Sequence, residues 1–182
     1  MADLIIRNAR VVTADAGMRT IARGGVRVSA GRIDRVGSSE ELGPAEGRRE
    51  IDAGGMLLMP GLINTHCHAG DSLFRGLVEN LPLEPWLQNV WKAEGAILSP
   101  KTVRLGATLG LAEQLLAGVT TVMDMFWHPH QTVAAARALG MRVSTGGIFF
   151  DGPGVDGLDH PARMREAKAF FEEFSEAEDV LP

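Results

Sequence analysis

A chain of 182 residues with 45% hydrophobic and 23% charged side chains can bury a core and is too apolar to be disordered. Its net charge of −5, with no Lys/Arg run interleaved with aromatics, argues against a nucleic-acid partner. No apolar run approaches the roughly 20 residues of a membrane helix, the N-terminus does not read as a signal peptide, and one cysteine forbids an internal disulfide and fits a reducing, cytoplasmic location.

Residues 4–59 read as short strands. Residues 4–13 are rich in β-branched side chains. Val26 and Val28 alternate with Arg27 and Ser29, and Gly31 turns the chain into Ile33-Asp-Arg-Val36 as a hairpin. A polar loop over 38–50 follows, then Ile51-Asp-Ala, a Gly54-Gly55 turn and Met56-Leu-Leu-Met59. This predicts a small antiparallel β unit over residues 1–59, part of a β-sandwich and marginal if standing alone.

Pro60-Gly61 marks a change of architecture, with a second unit over 60–182 in which strand-like and helix-like runs alternate. Residues 62–66 form the first strand. A polar and aromatic connection over 69–98 holds a short amphipathic piece around Trp86. Ser99-Pro100 opens a helix over 101–117, with Val103, Ala107, Leu111 and Leu115 on one stripe and Gly118 as its stop. A strand over 119–126, a helix over 132–139 and a strand over 141–150 follow. Asp159 and Pro161 start a last helix that places Met164, Ala167, Phe171 and Phe174 on one face. Strand then helix, three times, means parallel strands with right-handed crossovers. An open doubly wound sheet and a (β/α)8 barrel compete, and no Gly-x-Gly-x-x-Gly follows the first strand to favour dinucleotide binding.

The chemistry concentrates in Met59-Pro-Gly-Leu-Ile-Asn-Thr-His-Cys-His68. On a strand, residues two apart share a face, so His66 and His68 aim together while Cys67 points away as buried filler. Two imidazoles at a strand end are half of a metal site. His128 and His130 repeat the spacing, but a proline lies between them and they read as surface-loop histidines; His160, before Pro161, reads as a helix-entry residue.

These residues, with Leu73-Phe-Arg-Gly76, Leu81-Pro-Leu-Glu-Pro-Trp-Leu87 and Asp124-Met-Phe-Trp127, resemble the amidohydrolase superfamily over nearly the whole chain. The branch they are most similar to holds methylthioadenosine/S-adenosylhomocysteine deaminases and s-triazine chlorohydrolases. The resemblance implies an α/β fold with the first three βα units of an incomplete (β/α)8 TIM barrel, preceded by part of the β-sandwich. It implies His66 and His68 as ligands of one divalent metal ion, zinc or else iron, which activates water to displace ammonia, chloride or an amine from a nitrogen-rich ring. It places Glu94 and Trp86 on the substrate side, Arg75 in a salt bridge anchoring the loop, and Asp124 in a structural role. The further ligands and the proton-shuttling glutamate and aspartate are expected beyond Pro182, so no catalytic group lies within the chain, which is expected to be the inactive N-terminal portion of a longer hydrolase. Where adenosine-type deaminases carry an arginine in the third strand, this chain has Gly147, which separates it from thioadenosine or homocysteine-bearing substrates. The expected partners are a small-molecule substrate and, for the full-length protein, a second copy of itself. The alternative is a non-catalytic truncated or interaction protein of the same fold.

Overall fold

The computed structural model describes residues 3–150 and 154–182 and divides into two compact units, Met1–Pro60 and Gly61–Pro182. In the first, β1 (Leu4–Val12), β2 (Thr20–Ser29) and β3 (Arg32–Ser38) pair antiparallel, and Ala30 and Gly31, both at positive φ, make the tight turn between β2 and β3. The sheet is mixed rather than wholly antiparallel: β4 (Arg49–Asp52) and β5 (Leu57–Leu58) both run parallel to β1. The loop between β3 and β4 returns the chain to the same end of β1, which forces the parallel pairing. Ala9, Val11 and Ala53 form this unit's core.

The second unit carries a parallel sheet in the order β6 (Leu62–Cys67), β7 (Val119–Asp124), β8 (Arg142–Ser144), β9 (Val180–Leu181). Helices α1 (Leu83–Ile97), α2 (Pro100–Leu116), α3 (Pro129–Leu139) and α4 (His160–Phe174) lie between the strands in sequence. Helix α2 opens on a reciprocal cap: the Thr102 amide donates to Ser99 Oγ at 3.3 Å and the Ser99 amide to Thr102 Oγ1 at 2.8 Å. Its Val103, Ala107 and Leu111 are fully buried, and the last two join Val122, Val143, Phe170 and Phe174 in the core. The turn after β6 (Ala69–Phe74) presses on α2 where Gly106 and Gly110 present no side chain; a Cβ on Gly106 would run into the Gly70 carbonyl.

Several expectations are corrected. The short amphipathic piece is a helix of 15 residues, α1, entered through Pro85 in its first turn. The third strand is three residues long, because Gly146 and Gly147 offer no side chains to hold a longer ladder. A fourth strand, β9, follows the three expected ones, so the outer strands of the described sheet are β6 and β9. Helix α3 begins at Pro129, so His130 sits in its first turn rather than in a loop; it is exposed and its Nε2 lies 3.1 Å from Glu173. On α4 the buried face is offset by one residue: Arg163, Phe170 and Phe174 are buried, while Met164 and Phe171 are exposed. No helix among the described residues is long and apolar enough to cross a membrane.

Candidate metal and substrate site

Strand β6 delivers both histidines to its C-terminal end, with Cys67 turned into the core at 8% exposure. Burial pushes the Cys67 thiol up to about 11, which leaves it inert as a nucleophile. The His66 and His68 rings meet edge to face with centroids 5.0 Å apart. His68 Nδ1–H donates to the Met125 carbonyl at 2.7 Å, fixing the tautomer whose Nε2 lone pair is free. His66 is exposed, and its backbone amide donates to Asn64 Oδ1 at 3.1 Å. A neutral imidazole with its second nitrogen tied to a carbonyl is the donor that zinc takes. Among the described residues no group of three His, Cys, Asp or Glu side chains converges as a ligand set.

Asp124, at the end of β7, holds the turn behind the pair. It is 2% exposed and accepts from the Ala69 amide at 2.6 Å and the Thr132 hydroxyl at 2.9 Å. Burial raises its pKa, and these two hydrogen bonds oppose the rise. It therefore braces the residue after His68 and joins β7 to α3.

Glu94 on α1 is not the solvated helix-side carboxylate its sequence setting permits. It is 4% exposed and accepts from Trp127 Nε1 at 3.1 Å. Asp71 lies beside it, its Oδ1 buried without a hydrogen-bond partner among the described residues. Burial first, then the Glu94 and Asp124 carboxylates, push Asp71 up to about 7. Trp86 is half-buried in the first turn of α1. Arg75 pairs with Glu113 of α2, 2.9 Å from Nη1 to Oε1, anchoring the loop as its sequence position suggests. Asp71, Trp127 and Arg163 escaped sequence reasoning. Asp71 and Trp127 meet Glu94 across separations of 23 and 33 residues, and no local pattern encodes such a meeting.

The amidohydrolase family model matches residues 57–181. A 5-methylthioadenosine/S-adenosylhomocysteine deaminase of Syntrophobacter fumaroxidans is 42% identical over 84% of this chain and 35% of its own length. A 5'-deoxyadenosine deaminase of Methanosarcina mazei is 39% identical over 79% of this chain and 33% of its own length. Among solved structures, a zinc-bound adenosine deaminase from Xanthomonas campestris superposes with a TM-score of 0.90 at 28% identity, over 99% of this chain and 42% of that one. An atrazine chlorohydrolase from Arthrobacter aurescens, complexed with zinc, gives 0.85 at 25% identity, over 98% of this chain and 45% of that one. The chain thus spans between a third and a half of the length of these relatives.

Proposed function

This chain belongs to the amidohydrolase family, and we propose that it is the N-terminal portion of a metal-dependent hydrolase that removes an amino group, or a chloride, from a nitrogen-rich ring. The observation that carries the proposal is the placement of His66 and His68 together at the end of β6, with the His68 tautomer fixed by the Met125 carbonyl. The names of the similar proteins favour ring deamination of an adenosine-type nucleoside first, thioadenosine included and against the expectation drawn from Gly147, and dechlorination of a triazine second.

In this reading the four parallel strands open a (β/α)8 barrel, and the first unit is part of a β-sandwich. Apolar side chains exposed on the sheet support it: Ile63 at 67%, Met123 at 51% and Met125 at 57% belong to a face that further strands would cover. His66 and His68 fit zinc by donor type, with iron as the other candidate. Two imidazoles fall short of the three protein ligands of a catalytic zinc site, so the remaining ligands come from the part of the relatives that this chain does not match. Bound zinc supplies the Lewis acidity that makes water nucleophilic near neutral pH.

The residues of this chain do the positioning. Asp124 fixes the Ala69 amide and so the turn that follows His68. Glu94 and Trp86 are assigned to the substrate side, Glu94 to sugar hydroxyls and Trp86 to the wall of the pocket. The test is ammonia or chloride release by the protein expressed from its natural gene, loaded with zinc, from 5'-methylthioadenosine, 5'-deoxyadenosine and atrazine. Release from none of the three would remove the proposal.

A further inference from the structure

Helix α2 buries Val103, Ala107 and Leu111, and Gln114 follows on the same face of the helix. A polar side chain there needs partners, and it finds two on β6, 50 and 47 residues earlier in the chain. Its Oε1 accepts from Asn64 Nδ2 at 2.8 Å, and its Nε2 donates to Cys67 Sγ at 3.1 Å. Asn64 Oδ1 in turn accepts from the His66 amide at 3.1 Å. The direction of this relay is dictated from one end. A backbone amide can only donate, so Asn64 turns its oxygen to His66. Its NH2 then faces Gln114, which answers with its own oxygen and keeps its NH2 for the sulfur.

The relay spans an irregularity in β6. Asn64 lies opposite Val122 and Cys67 opposite Asp124, so Thr65 and His66 together face the single residue Met123. Leu62 bonds through its amide, to the Gly118 carbonyl at 2.9 Å, whereas Cys67 bonds through its carbonyl, to the Met125 amide at 3.0 Å. In an unbroken parallel ladder every second amide points to the same neighbour, so that of His66 would follow those of Leu62 and Asn64 toward β7. The extra residue takes His66 out of that series. The Asn64 side chain, two residues back, satisfies the displaced amide as an Asx turn.

A bulge re-aims the side chain it carries. His68 is fixed by its own ring, on the Met125 carbonyl. Among the described residues the His66 ring makes no hydrogen bond, and it meets the His68 ring edge to face at 5.0 Å. The aim of His66 is therefore set by the backbone beneath it.

We propose that Gln114 is the positioning residue of the first metal ligand: through Asn64 it holds the bulge from which His66 aims at the metal. The purpose of the relay rests on the metal reading, while the relay itself belongs to the metal-free chain.

Two variants test it in the protein expressed from its natural gene. Gln114→Leu removes both side-chain bonds. Gln114→Glu keeps an acceptor for Asn64, and the Cys67 S–H can turn to donate to its second oxygen. Hydrogen exchange, with metal stripped by a chelator, is read at the His66 amide and at the Val143 amide, which donates to the Asp179 carbonyl at 3.0 Å and reports on the sheet away from the relay. Gln114→Leu should speed exchange at His66 about fivefold, as expected for the loss of one neutral hydrogen bond, and leave Val143 at the parent rate. Gln114→Glu should restore the parent rate at His66. With zinc returned, competition against a chromophoric chelator should show Gln114→Leu weaker by at least about tenfold, the usual cost of losing a group that orients a metal-bound histidine, and Gln114→Glu close to the parent. Equal exchange at His66 in parent and Gln114→Leu, acceleration shared by Val143, or equal zinc affinity in parent and Gln114→Leu would overturn the proposal. A parent that takes up no zinc would overturn the metal reading, and the His66 exchange rates would still decide whether Gln114 holds the bulge.

Discussion

Replacing Asp124 by alanine removes the acceptor that two buried donors share, the Ala69 amide at 2.6 Å and the Thr132 hydroxyl at 2.9 Å. A buried donor left unsatisfied costs about 1–3 kcal/mol, and bonds to a charged acceptor fall at the upper end. Two of them give about 4 kcal/mol. Relief of burying a carboxylate at 2% exposure offsets about 1 kcal/mol of that. The net loss of about 3 kcal/mol falls on the turn after His68. Hydrogen exchange of the Ala69 amide reads it directly, since a local opening free energy lowered by that amount speeds exchange about a hundredfold. Asp124→Asn keeps one acceptor oxygen and should show about half the free-energy loss. An acceleration below about threefold in Asp124→Ala would refute the idea that this carboxylate braces the turn.

Three further outcomes follow from the packing. Asp71 has its pKa raised from 3.8 to about 7. The folded state therefore takes up a proton between those values, and stability falls as pH rises through that window and levels above it. Urea melts at pH 5 and pH 8 should show this loss, and Asp71→Asn should flatten it; an equal loss in the variant would contradict the assignment. Gly106→Ala forces a Cβ into the Gly70 carbonyl, and a thermal melt should show a loss of about 1–3 kcal/mol, the usual cost of overpacking; an unchanged melt would mean that the turn does not pack there. Arg163→Ala strips the part-buried Asp156 carboxylate of its buried partner, and unfolding should show about 3 kcal/mol lost, the lower end for a buried pair, whereas a loss under about 1 kcal/mol would place the pair in solvent.

The legible parts of the sequence were those whose signals are local. The alternation of His66, Cys67 and His68 at a strand end needs only the two-residue period, and Cys67 is buried as that period requires. Ser99 and Pro100 announce α2 within three residues, and Ala30-Gly31 announces the β2–β3 turn. Features made by distant partners were hidden. The two-residue strand β9 exists only because β8 offers it a ladder. The parallel strand β4 depends on β1, some 45 residues earlier. Helix α1 is masked by Pro85 and by exposed polar positions, and its burial rests on Val90 and Glu94 alone. Arg163 reads as a surface charge until Asp156, Trp127 and Phe150 enclose it.

The central claim is that His66 and His68 hold the metal of a ring-hydrolysing enzyme. Zinc-dependent release of ammonia from 5'-methylthioadenosine and 5'-deoxyadenosine, and of chloride from atrazine, by the protein expressed from its natural gene tests it most directly when measured beside His68→Ala. Turnover of at least one of the three is expected with zinc, none after chelation, and none in His68→Ala at any zinc concentration that sustains the parent. No release from any of the three, or equal release from parent and variant, would contradict it.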